Sequence, residues 1–339
     1  MRSLRQRLRE RTNGYTVTPA QYVRFAYAAL CALTLIVLTG AAVRLTGSGL
    51  GCPTWPKCYG NVYPPLNSHA IIEFTNRLIT FPVCLAAGMA WLAAVRRRPY
   101  RRDLVWLGAL LPLGVVGQAV LGGLTVKGAL DYGWVMGHFA LSMLILVAAV
   151  LLVWRALREP AEAPSAAPEE VGGSVVGPMR ALVALGVLTI FAGTAATAAG
   201  PHAGGSPGQK INRLSFDGRA TMDFVIHRHA EIAFVFSLAA VALWWLARRR
   251  EVSAAVKRPL TILCGALALQ GVVGLDQYYN HLPTQLVWVH VTLASCAWLA
   301  LLWAGCTSGA LLPRRARAGA ARALESPVRA LATLKFPGN

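Results

Sequence analysis

Three of the seven histidines, His138, His227 and His290, fall about one to two turns inside long apolar segments. An ionisable side chain at that depth is costly and usually has a functional role. Facing helices of a four-helix bundle can supply one imidazole each to a haem iron. His227 and His290 are therefore predicted to be the two axial ligands of one haem, and the alternative for each is an interfacial histidine hydrogen-bonded to its neighbours.

A further histidine, His229, lies on the same segment as His227 but about 200° around a helix from it, so both cannot face one centre. An internal repeat aligns Asn76 with His227 and therefore favours His227. Arg77 and Arg228 follow these two positions and are candidates to pair with haem propionates. The alternative for both arginines is anchoring at the membrane interface.

The first half of the chain carries different side chains at the same level. Asn76 is a poor haem ligand, while His138 remains. Glu73 lies one turn before Asn76, where the second half has Phe224. A carboxyl group inside an apolar helix needs a partner or a proton. The pattern predicts a site with an open iron position and an acid beside it, and the alternative for Glu73 is an ion pair with Arg77.

Two cysteines six positions apart, Cys52 and Cys58, follow the first apolar segment within the stretch VRLTGSGLGCPTWPKC, residues 43–58. Charge placement puts this stretch outside the cytoplasm, where disulfides persist. A bridge is favoured and would stabilise the loop by roughly 2–3 kcal/mol. Free thiols and a metal pair are the alternatives, although the spacing fits no common zinc motif.

The elements that carry these residues are long apolar segments in a chain of 339 residues that is 55% hydrophobic and 14% charged. Segments of about 20 apolar residues indicate transmembrane helices, since unpaired backbone groups cannot face lipid. The sequence therefore predicts an all-α membrane protein with eight helices, at roughly 23–45, 70–95, 104–126, 133–155, 179–200, 222–247, 258–276 and 284–307.

The formal charge of +19 has a topological pattern, because basic residues cluster at the N-terminus, in every second loop and at the C-terminus. The positive-inside rule then places both termini in the cytoplasm. Basic flanks of membrane helices account for the charge, so no nucleic-acid partner is predicted. The clusters are Arg2–Arg11, Arg96–Arg102, Arg155–Arg158, Arg248–Arg258 and Arg314–Arg329.

The chain contains two copies of a four-helix unit, at offsets of 151 to 153 residues. GQAVLGGL (117–124) matches LQGVVGLD (269–276), and MGHFALSM (136–143) matches WVHVTLAS (288–295). The fold class is thus two pseudo-symmetric four-helix bundles in the membrane. The expected divisions are an N-terminal segment 1–22, a first bundle 23–155, a linker 156–178, a second bundle 179–307 and a tail 308–339.

VRLTGSGLGCPTWPKC and the following IEFTNRLIT (72–80) resemble the haem A synthase family, membrane enzymes that convert haem O to haem A for cytochrome oxidases. The resemblance covers all eight helices. It implies an extracytoplasmic Cys52–Cys58 disulfide and an essential carboxylate at Glu73. It also implies oxidation of the C8 methyl group of haem O by two successive hydroxylations.

The resemblance further implies a haem b cofactor on His227 and His290 and haem O in the first half, held by His138. Members commonly have histidine at the position of Asn76, so the second axial position there is open. Arg44 is a candidate for a substrate propionate.

The implied setting is a bacterial cell membrane, with lipid, a haem O synthase and an electron donor as partners, and a homo-oligomer as one possible assembly. A b-type cytochrome that only passes electrons is the alternative function. A transporter is a third reading, favoured by the twofold repeat.

Overall fold

The computed structural model describes residues 15–158, 172–218 and 220–311. The predicted basic N-terminus, most of the linker and nearly all of the C-terminal tail lie outside this range. In chain order the helices of the described part are α1 (Pro19–Leu45), α2 (Ser68–Arg96), α3 (Arg102–Lys127), α4 (Tyr132–Ala156), α5 (Gly172–Ala199), α6 (Ala220–Arg249), α7 (Ala254–Tyr279) and α8 (Thr284–Thr307).

All eight helices are long and apolar enough to cross a membrane. Many large apolar side chains point away from the protein, among them Trp106 at 64% exposed, Leu113 at 65% and Phe234 at 65%. Such exposure suits lipid rather than water. The chain is a multi-pass, all-helical membrane protein, as the apolar segments predict.

The first compact unit contains α1 to α4 together with the loop segment 202–213. Each helix packs on the next, and α1 also packs on α4, which closes a four-helix bundle. Fully buried alanines lie on α1 and α2, including Ala26, Ala29, Ala87 and Ala90. Small side chains allow membrane helices to approach closely, so the van der Waals contact between backbones replaces a core of large residues.

The second compact unit contains α5 to α8 without the loop segment 202–213. Its helices pack in the same cyclic order, with α5 against α8. Its core is richer in leucine than that of α1 and α2, with Leu182, Leu260, Leu263 and Leu301 at most 1% exposed. The two bundles expected from the internal repeat are therefore present as two separate packing units.

Several helices begin a few residues before the apolar segment that predicts them. Thr18 caps α1 through a capping box with Gln21, and the helix then starts at Pro19. Ser253 caps α7 by accepting a hydrogen bond from the Ala255 backbone N–H, so α7 starts at Ala254. Capping residues and a polar first turn lie outside the apolar segment, so hydropathy misses them.

Residues 202–213, which follow α5, group with the first unit instead of the second. The expected division assigned them to the second bundle by their place in the sequence. Their partners are backbone and side-chain groups about 160 residues earlier in the chain, such as Arg44 and Gly47, at separations of 158 and 159 residues. We call this segment the strap.

Candidate functional site

A disulfide loop, residues 47–67, covers the end of the first unit where α1 ends and α2 begins. Cys52 and Cys58 are bridged, with their Cα atoms 4.7 Å apart, and both are fully buried. They form a small apolar cluster with Ala70, and Phe74 packs against it. The disulfide thus lies on the first turns of α2, where it fixes the loop above the helix that carries Glu73.

Glu73 is 5% exposed and both of its carboxylate oxygens are occupied. Oε2 accepts a hydrogen bond from the Cys52 N–H at 2.6 Å, and Oε1 is 2.5 Å from Arg77 Nη2. A buried carboxylate is tolerated only with such partners. The ion pair that the sequence left as an alternative is therefore present, and Glu73 helps hold the disulfide loop on α2.

Arg77 extends this network to the loop carbonyls. Its Nη2 donates to the Cys52 carbonyl at 2.9 Å, and its Nη1 donates to the Thr54 carbonyl at 3.0 Å. The guanidinium therefore joins α2 to the disulfide loop. A propionate would have to share it with these carbonyls.

Glycines allow the disulfide loop to lie directly on the helices. A Cβ built at Gly51 would be 2.2 Å from the His69 carbonyl oxygen, so no other residue fits there without moving backbone. A Cβ at Gly123 on α3 would be 3.0 Å from the Trp55 ring. Trp55 thus rests on α3 at a position that only a small residue permits.

The strap lies on the same end of the first unit. Gly49 N–H donates to the Gly204 carbonyl at 2.8 Å, and Ser206 Oγ donates to the Gly47 carbonyl at 2.9 Å. Arg44 Nε donates to the His202 carbonyl at 2.9 Å. The strap and the disulfide loop are thus hydrogen-bonded to each other and to the end of α1.

Within the first bundle, the His138 ring on α4 faces α3. A Cβ at Gly122 would be 3.5 Å from His138 Cε1, and Gln118 Nε2 donates to the His138 carbonyl at 3.0 Å. His138 Nδ1 and Asn76 Oδ1 are buried and have no hydrogen-bond partner among the described residues. Unpaired buried polar atoms are uncommon and call for an explanation, such as a ligand.

The second bundle repeats this arrangement around His290. Gln270 Nε2 donates to the His290 carbonyl at 3.0 Å, and a Cβ at Gly274 would be 3.3 Å from His290 Cε1. His290 Nδ1 is also buried without a partner in the described part of the chain. The glutamine, glycine and histidine that the repeat aligns therefore make the same contacts in each unit.

His229, and not His227, is the histidine that the structure brings to His290. The ring centroids of His229 and His290 are 6.3 Å apart, with an angle of 78° between the planes. Against α5, the His229 ring approaches the Thr189 backbone, and a Cβ at Gly193 would be 3.0 Å from His229 Cε1. His229 Nδ1 is buried without a hydrogen-bond partner among the described residues.

His227 is exposed and has a partner on its own helix. Its Nδ1 donates to the Asp223 carbonyl at 2.7 Å, and its ring meets Tyr278 edge to face at 6.1 Å between centroids. The pairing of His227 with His290 expected from the sequence is thus not seen. Because the two histidines of α6 point to different sides of the helix, only one of them can face α8.

The distance between His229 and His290 fits a shared metal ion. A metal–nitrogen bond of about 2 Å on each side places two imidazole centroids about 6 Å apart. The glycines beside both rings leave room where a side chain would otherwise lie. In the second unit the residues present therefore fit a group with two axial imidazoles, such as haem.

The sequence also contains a signal that favours His229. Gly193 lies 153 positions after Gly40, and His229 lies 153 positions after Asn76. Matching Asn76 to His227 instead uses an offset of 151, which comes from the shared arginine that follows each residue. The glycine that faces the histidine was the better guide, because it must keep its place opposite the ring.

Arg228 on α6 lies on the exposed side of the helix with its own partners. Its Nη2 pairs with Glu231 at 2.5 Å, and its guanidinium lies 5.7 Å from the centre of the Phe224 ring. Both members of the pair are about half exposed. Solvent or lipid headgroups therefore compete for this arginine.

The chain also matches the model of a known protein family. The family model described as cytochrome oxidase assembly protein, COX15-CtaA, matches residues 23–302. A heme A synthase of Shewanella oneidensis is 27% identical over 290 residues, which cover 74% of this chain and 85% of the relative.

Two further heme A synthases match a shorter part of the chain. The protein of Lysinibacillus sphaericus is 35% identical over 136 residues, 38% of this chain and 42% of the relative. That of Bacillus pumilus is 31% identical over 137 residues, 38% of this chain and 45% of the relative. The chain thus aligns with less than half the length of these two relatives.

Proposed function

Because the chain belongs to the COX15-CtaA family of cytochrome oxidase assembly proteins, we propose that it is a haem A synthase acting on haem O. The observation that carries the proposal is the difference between two otherwise matching sites. Each unit holds a histidine backed by a glutamine and a glycine. Opposite that histidine the second unit has His229, while the repeat places Asn76 there in the first.

The reaction converts the C8 methyl group of haem O to a formyl group. With water as the oxygen source, each of the two successive hydroxylations breaks one C–H bond, forms one C–OH bond and releases two protons and two electrons. The geminal diol then loses water to give the aldehyde. The electrons pass to an electron carrier in the membrane, so the reaction is that of an oxidoreductase.

The second unit is proposed to hold haem b between His229 and His290. Haem b would supply a one-electron centre within the membrane. Both imidazoles are buried, and each has a ring nitrogen, Nδ1, without a hydrogen-bond partner among the described residues, which a bound iron would account for. Arg228 remains the propionate partner in this unit and would exchange its exposed contact with Glu231 for the propionate.

The first unit is proposed to receive haem O, with His138 holding its iron. The repeat places Asn76 opposite His138, and the buried Asn76 Oδ1 has no hydrogen-bond partner among the described residues. A carboxamide binds iron poorly, so one axial position stays accessible. Arg44 and Arg77, at the covered end of the unit, are the cations that meet the substrate propionates.

Glu73 is proposed as the catalytic carboxylate. It is buried beside Arg77 and the Cys52 backbone, where its position is fixed by two hydrogen bonds. A carboxylate so fixed can accept a proton from the reacting carbon or stabilise positive charge that develops there. The second unit has an apolar residue at this level, so the bundle itself does not require the acid.

The disulfide loop and the strap would cover the substrate. Both lie over the same end of the first unit, and they are joined by a backbone hydrogen bond from Gly49 to Gly204. Covering the site would keep bulk water away from the reacting methyl group, apart from the water that the hydroxylations consume. The proposed setting is a bacterial cell membrane with both termini in the cytoplasm, and a haem O synthase, an electron carrier and a second copy of the chain as candidate partners.

The proposal is tested in cells that make haem O but lack an enzyme that oxidises it. Expression of the full chain should lead to haem A in extracts of the membranes, identified by mass as haem O plus one oxygen and minus two hydrogens. Haem O left unchanged beside a bound b-type haem would instead indicate the alternative, a cytochrome that only passes electrons.

A further inference from the structure

A basic groove lies in the second unit, where α6 ends and α7 begins, away from the histidine pair. Its volume is about 840 Å³, and it opens to the surface of the protein. Three cationic side chains line it, Arg248, Lys257 and Arg258, with one acid, Glu251. We propose that this groove binds the phosphate headgroup of an anionic phospholipid.

Within the described part of the chain, the positive charge of the groove is not neutralised. Among the residues that the structure describes, no carboxylate or carbonyl pairs with the side chains of Arg248, Lys257 or Arg258. Arg248 stacks on the Trp244 ring, 5.0 Å from its centre, which leaves its N–H groups available. Three converging cations against one carboxylate favour an anionic ligand.

The helix that begins at the groove increases this preference. The first turn of α7 contains no acidic residue, and Lys257 and Arg258 follow it directly. Cations near a helix N-terminus oppose the positive end of the helix dipole, so this placement costs free energy without an anion. A phosphate at this position would meet both the cations and the helix end.

The equivalent loop of the first unit shows the contrast. There Asp103 lies in the first turn of α3 and pairs with Arg101 at 2.6 Å and with Arg155 at 3.3 Å. Its arginines thus have an internal carboxylate. If the basic residues of these loops served only to set the membrane topology, we would not expect an internal carboxylate in one unit and none in the first turn of α7 in the other.

The walls of the groove suit a lipid better than a free anion. Ile262, 64% exposed, and Trp244 lie deeper along the helices than the cations, below the charged rim. Acyl chains can follow this apolar wall while the phosphate remains at the rim. Basic pockets between transmembrane helices near the membrane surface are typical binding places for anionic headgroups.

The test titrates purified full-length protein in a neutral detergent with phosphatidylglycerol or phosphatidylcholine and counts retained lipids by native mass spectrometry. Wild-type protein should retain phosphatidylglycerol in preference. The Lys257→Gln/Arg258→Gln variant should bind it about tenfold more weakly or worse, given the worth of each basic residue near anionic lipid.

The matched control is Arg249→Gln/Arg250→Gln, which removes the same charge from the same loop but from residues that do not line the groove. It should retain phosphatidylglycerol within about twofold of wild type, because most of the attraction is local. A second variant, Ala254→Glu, adds a carboxylate to the groove in the first turn of α7, where an acid favours the helix. It should weaken lipid binding without loss of helix content.

Equal retention by wild type and both groove variants would overturn the proposal, as would equal retention of phosphatidylcholine. Inorganic phosphate is then tested as a competing ligand. If millimolar phosphate displaces the lipid completely and binds with the same dependence on Lys257 and Arg258, the site belongs to free phosphate and the lipid assignment is wrong.

Discussion

The contact between His229 and His290 has a direct spectroscopic consequence. If these residues hold haem b, His229→Ala and His290→Ala should each remove the low-spin b-type signal of the second unit, since each loses one axial ligand. His227→Ala is the matched control on the same helix and should keep the signal, because His227 contacts Asp223 and Tyr278 instead. Reduced-minus-oxidised spectra of the purified variants provide the measurement.

The opposite pattern would contradict this assignment. Loss of the signal in His227→Ala, with the signal kept in His229→Ala, would return the ligand role to His227. The haem content of each variant, measured by extraction, separates loss of haem from a change of spin state.

Glu73→Gln tests the catalytic carboxylate. The amide keeps the size of the side chain and can still accept from the Cys52 N–H, but it carries no charge and is a weaker base. Haem b of the second unit should remain, while conversion of haem O should fall by about 100-fold or more, as for loss of a general base. The measurement is the yield of haem A per bound haem b.

Arg77→Gln is the matched control for Glu73→Gln. It breaks the same ion pair but leaves the carboxylate in place, and because it also removes a proposed propionate contact, rates are compared at saturating haem O. If Glu73 only anchors the disulfide loop, the two variants should be impaired equally. A catalytic Glu73 predicts a clearly larger loss for Glu73→Gln.

At the residue scale, the sequence predicted which bundle holds each candidate residue better than it predicted the contacts of that residue. The types and spacing of Glu73, Asn76 and His138 indicated one altered site, and the structure places them in one bundle. The choice between His227 and His229 depended on an alignment shift of two residues, which turns a helix face by about 200°. The direction of the His229 side chain is set by packing of its ring against Gly193, and a hydropathy pattern carries no information about such packing.

At the scale of elements, the disulfide loop is expected to depend on the close approach of Gly51 to α2. Gly51→Ala would drive a methyl group into the His69 carbonyl, so the loop must shift at a cost of about 1–3 kcal/mol. The buried Cys52–Cys58 bridge should then be reduced faster by a membrane-impermeant phosphine, measured by thiol labelling.

Gly88→Ala on α2 is the control for Gly51→Ala. A Cβ at Gly88 meets nothing within 4 Å, so the same substitution should leave the reduction rate unchanged. Equal reduction rates in wild type and Gly51→Ala would show that the loop does not need this contact.

Helices were predictable from sequence, but the strap was not. Each transmembrane helix satisfies its own backbone hydrogen bonds, so a local apolar segment is enough to predict it. The strap instead depends on contacts such as Arg44 to His202 and Gly49 to Gly204, which are far apart in the chain. No local periodicity encodes such pairs, and only the folded structure reveals them.

At the scale of the whole molecule, the alternation of basic loops predicts the topology. Reporter fusions at residue 130 and residue 280 should both report the outside, because the basic clusters lie at the other helix ends. Cytoplasmic reporter activity at either position would reject the orientation. The result matters for function, since the disulfide loop must be outside for its bridge to persist.

The central claim is that one bundle modifies a haem while the other only holds one. The most direct measurement is the haem content of protein purified from cells that make haem O, determined by liquid chromatography and mass spectrometry. The account predicts haem b together with haem O or haem A in wild type, and haem b alone in His138→Ala. Wild-type protein that carries only haem b under a sufficient supply of haem O, and leaves haem O unchanged, would contradict it.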